Sequence, residues 1–375
     1  MASIYDIPTP AVVIEESRLA ANLARMQDAA DAAGLRLRPH GKTHKSPIIA
    51  RRQLTAGAAG VCCAKLGEAE VFADAGIADI RVPYPVHPAN AGRVLALLDR
   101  TALSIVVDHP RIAREWSDAM SRAGRRLPVL VKVDVGFHRC GVDPASPAAL
   151  ELVTLVAGLP GLLLQGLLSH AGHAYHAASA DALAAIARDE ADTLVALRAL
   201  AATRGIGIEE LSVGATPSAR FSVRDTRLTE LRPGNYVYCD RTQVGLGAAT
   251  LADCALTVMA TVVSKPAPDR VIFDSGSKTL SSDAARGFAP VAGYGAVFTD
   301  PGSTALDDTL LVERLSEEHA TVRSLSGSTR LEPGDRVRIL PNHACVVSNL
   351  VDVVLLADGE TIVDRLPVAA RGRIA

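Results

Sequence analysis

The chain has 375 residues, enough for a sizeable core and two domains. Apolar residues make up 49% and the formal net charge is −2, a balance that argues for a soluble globular enzyme and against a nucleic-acid or anionic-membrane partner. No apolar run is long enough to span a membrane, and no basic stretch followed by an apolar core opens the chain as a secretory signal would. The six cysteines (62, 63, 140, 239, 254 and 345) are scattered and none forms a CxxC pair, so a reduced, cytoplasmic protein is expected.

Short apolar runs alternate with longer amphipathic ones over the first two-thirds of the chain. Strands are predicted at 35–38, 60–64, 80–83, 103–107, 129–134, 162–169, 210–213 and 230–237. Helices are predicted between them, at 47–56, 65–75, 89–98, 110–122, 147–157 and 180–204. Eight buried strands alternating with helices predict a closed (β/α)8 barrel of the TIM type. An open doubly wound sheet is the alternative; it lacks a GxGxxG after the first strand. Beyond about residue 245 the pattern turns strand-like, at 255–263, 270–274, 336–340 and 351–356. The expected organisation is a barrel over 16–244 and a mostly β domain made of 1–15 and 245–375. The opening strand, 11–14, is compatible with either domain by sequence.

Barrel enzymes work from the C-terminal ends of their strands. Lys42 follows the first predicted strand, within Arg38-Pro39-His40-Gly41-Lys42-Thr43-His44-Lys45. A lysine there can hold an aldehyde cofactor as a Schiff base if burial and nearby cations lower its pKa. Arg38, His40, His44 and Lys45 are the cations close in sequence; a solvated basic turn is the alternative. Arg139 follows the fifth strand and could hold the cofactor's phenolate oxygen, or instead pair with Asp134. His170 and Tyr175 follow the sixth strand and are candidates for a base or for substrate positioning, a plain core or surface role being the alternative. Gly214, Thr216 and Ser218 follow the seventh strand in a small, hydroxyl-rich loop suited to phosphate. Gly234, Asn235 and Tyr236 straddle the eighth.

Near the C-terminus, His343 and Cys345 stand two apart, so on a strand they would point the same way. Imidazole and thiolate make a good zinc pair, and two protein ligands leave positions open for substrate. A buried cysteine beside a hydrogen-bonded histidine is the alternative. Ser316-Glu317-Glu318-His319 offers further groups near the metal, or a solvated loop.

Together these segments resemble the D-threonine aldolase and D-serine dehydratase family of metal-activated pyridoxal enzymes. The resemblance spans nearly the whole chain and rests on Arg38–Lys45, Arg139-Cys140-Gly141-Val142, Val213–Ser218, Asp274-Ser275-Gly276-Ser277-Lys278 and Pro341–Cys345, in that order. It implies an alanine-racemase-like fold, usually dimeric, with pyridoxal 5'-phosphate on Lys42 and a divalent metal, zinc or manganese, on His343 and Cys345. The implied substrate is a β-hydroxy-D-amino acid. Gly60-Val61-Cys62-Cys63 and Arg139–Val142 are similar to the aldolases, whereas Cys345 and Gly214-Ala215-Thr216-Pro217 are similar to the dehydratases. Retro-aldol cleavage to glycine and an aldehyde is the first expectation. Elimination to a 2-oxo acid and ammonia, from D-serine or 3-hydroxy-D-aspartate, is the second; a racemase or a non-catalytic carrier follows.

Overall fold

In the computed structural model, residues 2–375 are described. Eight parallel strands curl around a common interior: β2 (Arg36–Leu37), β3 (Val61–Cys62), β4 (Asp79–Pro85), β5 (Ala102–Val107), β6 (Leu127–Lys132), β7 (Leu162–Leu168), β8 (Glu210–Val213) and β9 (Glu230–Leu231). Their order is β2-β9-β8-β7-β6-β5-β4-β3, and the sheet's two ends meet at one parallel bridge, His40 to Cys62. The barrel expected from alternation is therefore formed.

Helices pack outside it. Pro110–Arg122 starts with Pro at its first turn, the His109 ring accepting from the Arg111 amide, and buries Ala113, Trp116, Ser117 and Met120. The longest, Ala180–Ala202, is capped by Ser179, whose hydroxyl accepts from the Ala182 amide at 3.1 Å. The longest helix outside the expected set is Glu16–Ala32, whose alanine-rich stretch buries only Leu19, Asn22, Leu23, Gln27 and Ala30; short helices at Thr216–Ser222, Arg241–Gly245, Ser277–Leu280 and Ala344–Asn349 were not expected either. The eighth predicted strand is short in the fold, because the chain leaves β9 after Leu231 and makes a one-turn helix at Asn235–Val237.

The second unit is a mixed sheet. Its strands are β10 (Leu256–Ala267), β11 (Arg270–Phe273), β12 (Ala296–Val297), β13 (Leu310–Leu315), β14 (Ala320–Ser324), β15 (Arg336–Leu340), β16 (Val353–Asp358) and β17 (Thr361–Pro367). The opening strand, β1 (Ala11–Glu15), lies between β10, antiparallel, and β16, parallel. No helix among the described residues is long and apolar enough to cross a membrane.

The barrel interior is partly ionic. Glu230 on β9 is fully buried and accepts from Arg38 at 2.8 Å, Arg81 at 2.5 Å and the Ser212 hydroxyl at 2.6 Å. Burial raises the Glu230 pKa, but the two arginines outweigh it and hold the carboxyl down at about 2. Arg38 also bonds Asp79, and Arg81 also meets Glu210 at 2.9 Å. Arg38 is thus committed to the barrel interior and does not serve as a cation beside Lys42.

With a folded pKa near 2 against an ordinary 4.5, Glu230 contributes stability above pH 4.5 that is lost as pH falls toward 2. Glu230→Gln is expected to cost roughly 1.5–3 kcal/mol at neutral pH, since it removes one charged acceptor from each of two buried guanidinium groups, which keep Asp79 and Glu210. The deficit should narrow below pH 4.5. Urea unfolding at several pH values checks both the size and its direction with pH.

Candidate active site

A cavity of about 980 Å³ opens where the barrel's strand ends face the second unit. It is lined by His40, Lys42, Arg139, His170, Tyr175, Gly214, Thr216, Gly234, Asn235, His343 and Cys345, all singled out by sequence. Ser218 and Tyr236 do not reach it. The Ser218 hydroxyl donates to the Ala215 carbonyl at 3.2 Å, and the Tyr236 hydroxyl accepts from Gln53 at 3.0 Å. Ser316–His319 is also elsewhere, at the turn between β13 and β14, where Glu318 pairs with Lys278.

Lys42 sits in a single helical turn, Gly41–Thr43, just past β2. It lines the cavity and is exposed into it. Desolvation by the cavity walls lowers its pKa. Cys345 and Glu68 oppose the shift, while Arg139 and Arg232 reinforce it. The cations close in sequence have other partners: Lys45 meets Glu68 at 3.0 Å, and the buried His44 ring bonds Gln53 at 3.2 Å. His40 lines the cavity near Lys42, and burial first, then Lys42, keeps its ring neutral.

Arg139 is exposed, and its guanidinium lies 5.2 Å from the centre of the Phe137 ring. It does not pair with Asp134, which is held by His138 at 3.0 Å. Phe137 also meets the His170 ring edge-on at 5.9 Å. His170 Nδ1 lies 2.6 Å from the Gly214 carbonyl. A carbonyl only accepts, so Nδ1 carries the proton and Nε2 is left as an acceptor. Burial and the nearby Lys42 and Lys132 keep that ring neutral. Burial raises the Tyr175 phenol well above its ordinary value, so it acts as a donor rather than a base.

Among the cavity residues absent from the sequence-derived site set are two cations, Lys132 and Arg232. Lys132 ends β6, and burial, with Arg232 second, lowers its pKa to about 7. Arg232 is buried with its Nε donating to Ser212 at 2.7 Å. Both stand at strand ends, the rule that selected Lys42, so the signal was there. Among the described residues, Lys42, Lys132, Arg139 and Arg232 form no ion pair. A cavity with that surplus favours anionic ligands.

The residues present fit a phosphate-bearing aldehyde. The loops after β8 and β9 press close: a Cβ on Gly214 would lie 2.8 Å from the Arg232 backbone, and one on Gly234 2.9 Å from Thr43 Oγ1. Amides of Ala215, Gly234 and Asn235 find no protein acceptor among the described residues and line the cavity, as an anion cradle requires.

The metal candidates are not on a strand, as the two-residue spacing had suggested. His343 has extended backbone and begins the helix Ala344–Asn349, in which Cys345 lies. Both still face the cavity. Burial works against a charged His343 ring, but Cys345, Asp240 and Asp283 lift its pKa to about 10. Surroundings that favour positive charge on the ring also favour a cation beside it. Among the described residues no three His, Cys, Asp or Glu side chains cluster as metal ligands.

Residues 14–242 match the alanine racemase N-terminal domain, and residues 255–357 match the serine dehydratase domain. A D-threonine aldolase of Arthrobacter sp. is 35% identical over 98% of this chain and 93% of its own. The chain belongs to the D-threonine aldolase and D-serine dehydratase family. It is therefore an enzyme of the pyridoxal-phosphate-dependent lyases that share the alanine-racemase-like fold. Two solved structures of a D-threo-3-hydroxyaspartate dehydratase superimpose closely. A histidine-to-alanine variant gives a TM-score of 0.92 at 32% identity, covering 98% of this chain and 96% of that one. A cysteine-to-alanine variant in the metal-free form gives 0.91 at 30%, covering 98% and 99%.

Gly214→Ala should weaken pyridoxal phosphate binding roughly tenfold or more, since relieving a clash with backbone costs about 1–3 kcal/mol. Absorbance titration of the apoenzyme with the cofactor measures it.

Proposed function

We propose that this enzyme is a divalent-metal-dependent lyase of β-hydroxy-D-amino acids that cleaves D-threonine-like substrates by a retro-aldol reaction. The observation that carries the reading is that Lys42 and the His343–Cys345 pair line one cavity. Lys42 would hold pyridoxal phosphate, with the Gly214–Thr216 and Gly234–Asn235 backbone around its phosphate and Arg139 toward its phenolate oxygen. When bound, the cofactor supplies an electron sink for a carbanion at the substrate's Cα. His343 and Cys345 would hold the divalent ion, which supplies a Lewis acid for the substrate's β-oxygen. A thiolate ligand favours zinc over manganese.

The protein's own groups then divide the proton work. Burial, Arg139 and Arg232 favour the unprotonated Lys42 amine that must react with an aldehyde. Neutral His170, with Nε2 as an acceptor, is suited to take the β-hydroxyl proton. Tyr175, held protonated, can donate a hydrogen bond to substrate. In this reading the Cα–Cβ bond breaks, its electron pair stays on Cα, and Cα is then protonated. D-Threonine gives glycine and acetaldehyde.

Elimination is the second reading. The two solved dehydratase variants replace a histidine and a cysteine two positions apart, the spacing of His343 and Cys345 here. Lys42 would then take the α-proton while the β-hydroxyl leaves, giving 2-oxobutyrate and ammonia from D-threonine.

Incubation with D-threonine should yield glycine and acetaldehyde in equal amounts. Predominant 2-oxobutyrate and ammonia would transfer the assignment to elimination. Lys42→Ala should abolish the cofactor's absorbance near the visible edge and lower kcat by ~10²–10⁴-fold. A chelator should remove activity without removing that absorbance; unaltered activity would sink the metal-dependent reading.

A further inference from the structure

We infer that Asp283 is a positioning residue for the metal, acting through His343; this rests on the proposed metal-dependent reading. Asp283 Oδ2 lies 2.6 Å from His343 Nδ1. A carboxylate only accepts, so Nδ1 carries the hydrogen and Nε2 is left as the ring's ligand atom. Carboxylate partners of this kind set a metal-binding imidazole's tautomer and ring orientation and raise its basicity.

The contact is built from both sides. The Asn342 side-chain amide, next to His343, donates to the Asp283 carbonyl at 3.0 Å and to the Gly293 carbonyl at 2.9 Å. The Asp283 amide donates to the Ser281 hydroxyl at 3.1 Å. Ser281 itself has φ +62°, a conformation that costs a non-glycine residue free energy and is retained only where surroundings impose it. Three residues on, the Arg286 amide donates to Thr242 Oγ1, which in turn donates to the Asn342 carbonyl at 2.9 Å. The segment 281–286 is thereby laced to the turn that carries His343. It also forms one wall of the cavity, through Ser282, Asp283, Ala284, Ala285 and Arg286.

Cys345 has its own partner, Thr43 Oγ1 at 3.3 Å. The thiol thus also has an anchor on the lysine turn, and the imidazole has one on segment 281–286. Loss of Asp283 should free the ring to rotate.

The test uses enzyme loaded with pyridoxal phosphate, stripped of metal by a chelator and titrated with Co²⁺. Thiolate-to-cobalt absorbance and equilibrium dialysis report binding. Asp283→Ala should weaken Co²⁺ binding about 10–100-fold. Asp283→Asn should lose less, because its amide oxygen still accepts from Nδ1–H. Cofactor absorbance should be unchanged in both variants, and saturating metal should restore turnover. Equal Co²⁺ affinity in Asp283→Ala and the parent enzyme would overturn the inference and leave the metal-dependent reading intact. Loss of cofactor absorbance in Asp283→Asn would also overturn it, by showing general collapse of the cavity wall. Absence of Co²⁺ binding by the parent enzyme would overturn both.

Discussion

The site depends on one seam, where the helix Ala344–Asn349 of the second unit is fastened to two loops of the barrel. Ser348 donates to the Thr43 carbonyl at 2.5 Å, one residue from Lys42. Buried Asp240 accepts from the Ala344 amide at 2.9 Å and from the Asn235 side chain at 2.5 Å. Burial raises the Asp240 pKa, while His343 and these donors oppose it. A buried carboxylate is costly unless it is fully hydrogen-bonded. Here it joins the loop after β9 to the start of the helix that carries Cys345. Apolar contact would hold the two units together equally well, but it is non-directional. The proposed chemistry, shared between a lysine on one unit and metal ligands on the other, would need placement within about an ångström, which directional bonds supply.

A second polar chain runs from the cavity floor into the barrel. Arg232 donates to the Ser212 hydroxyl, Ser212 donates to Glu230, and Glu230 receives Arg38 and Arg81. Glu230 and Arg232 are two apart at the end of β9, so both point inward. The arginine at the floor is thus oriented by a network whose far end is structural. That explains an ionic barrel interior where branched apolar residues are usual. It also separates two kinds of cation: Arg38 and Arg81 are neutralised by acids, whereas Arg232 and Arg139 leave their charge to the cavity.

Much of this was legible in the sequence, and for physical reasons. Buried parallel strands such as Ile105–Val107 and Val129–Val131 read as apolar runs because both their faces are covered. Residues at strand ends, Lys42, His170 and Gly214, were found because a barrel brings those ends together. Pairings distant in sequence were not legible. Arg38 read as a neighbour of Lys42, four residues away, and its carboxylate partner Glu230 lies 192 residues on. Asp283 and His343, sixty residues apart, carry no shared pattern. His343 and Cys345 converge because a helix begins between them, which a strand-based argument cannot anticipate. Tyr236 and Ser218 belong to the right loops but turn toward Gln53 and the Ala215 carbonyl. Loop membership constrains the backbone, and side-chain direction follows from neighbours.

The cavity must satisfy two electrostatic demands that agree almost everywhere. It must attract a phosphate and a carboxylate, and it must keep the Lys42 amine free of its proton. Unpaired Arg139 and Arg232 serve both, since a positive field draws anions and expels a proton. Among nearby groups Cys345, and after it Glu68, act the other way. A divalent cation held by Cys345, as proposed, would offset that influence.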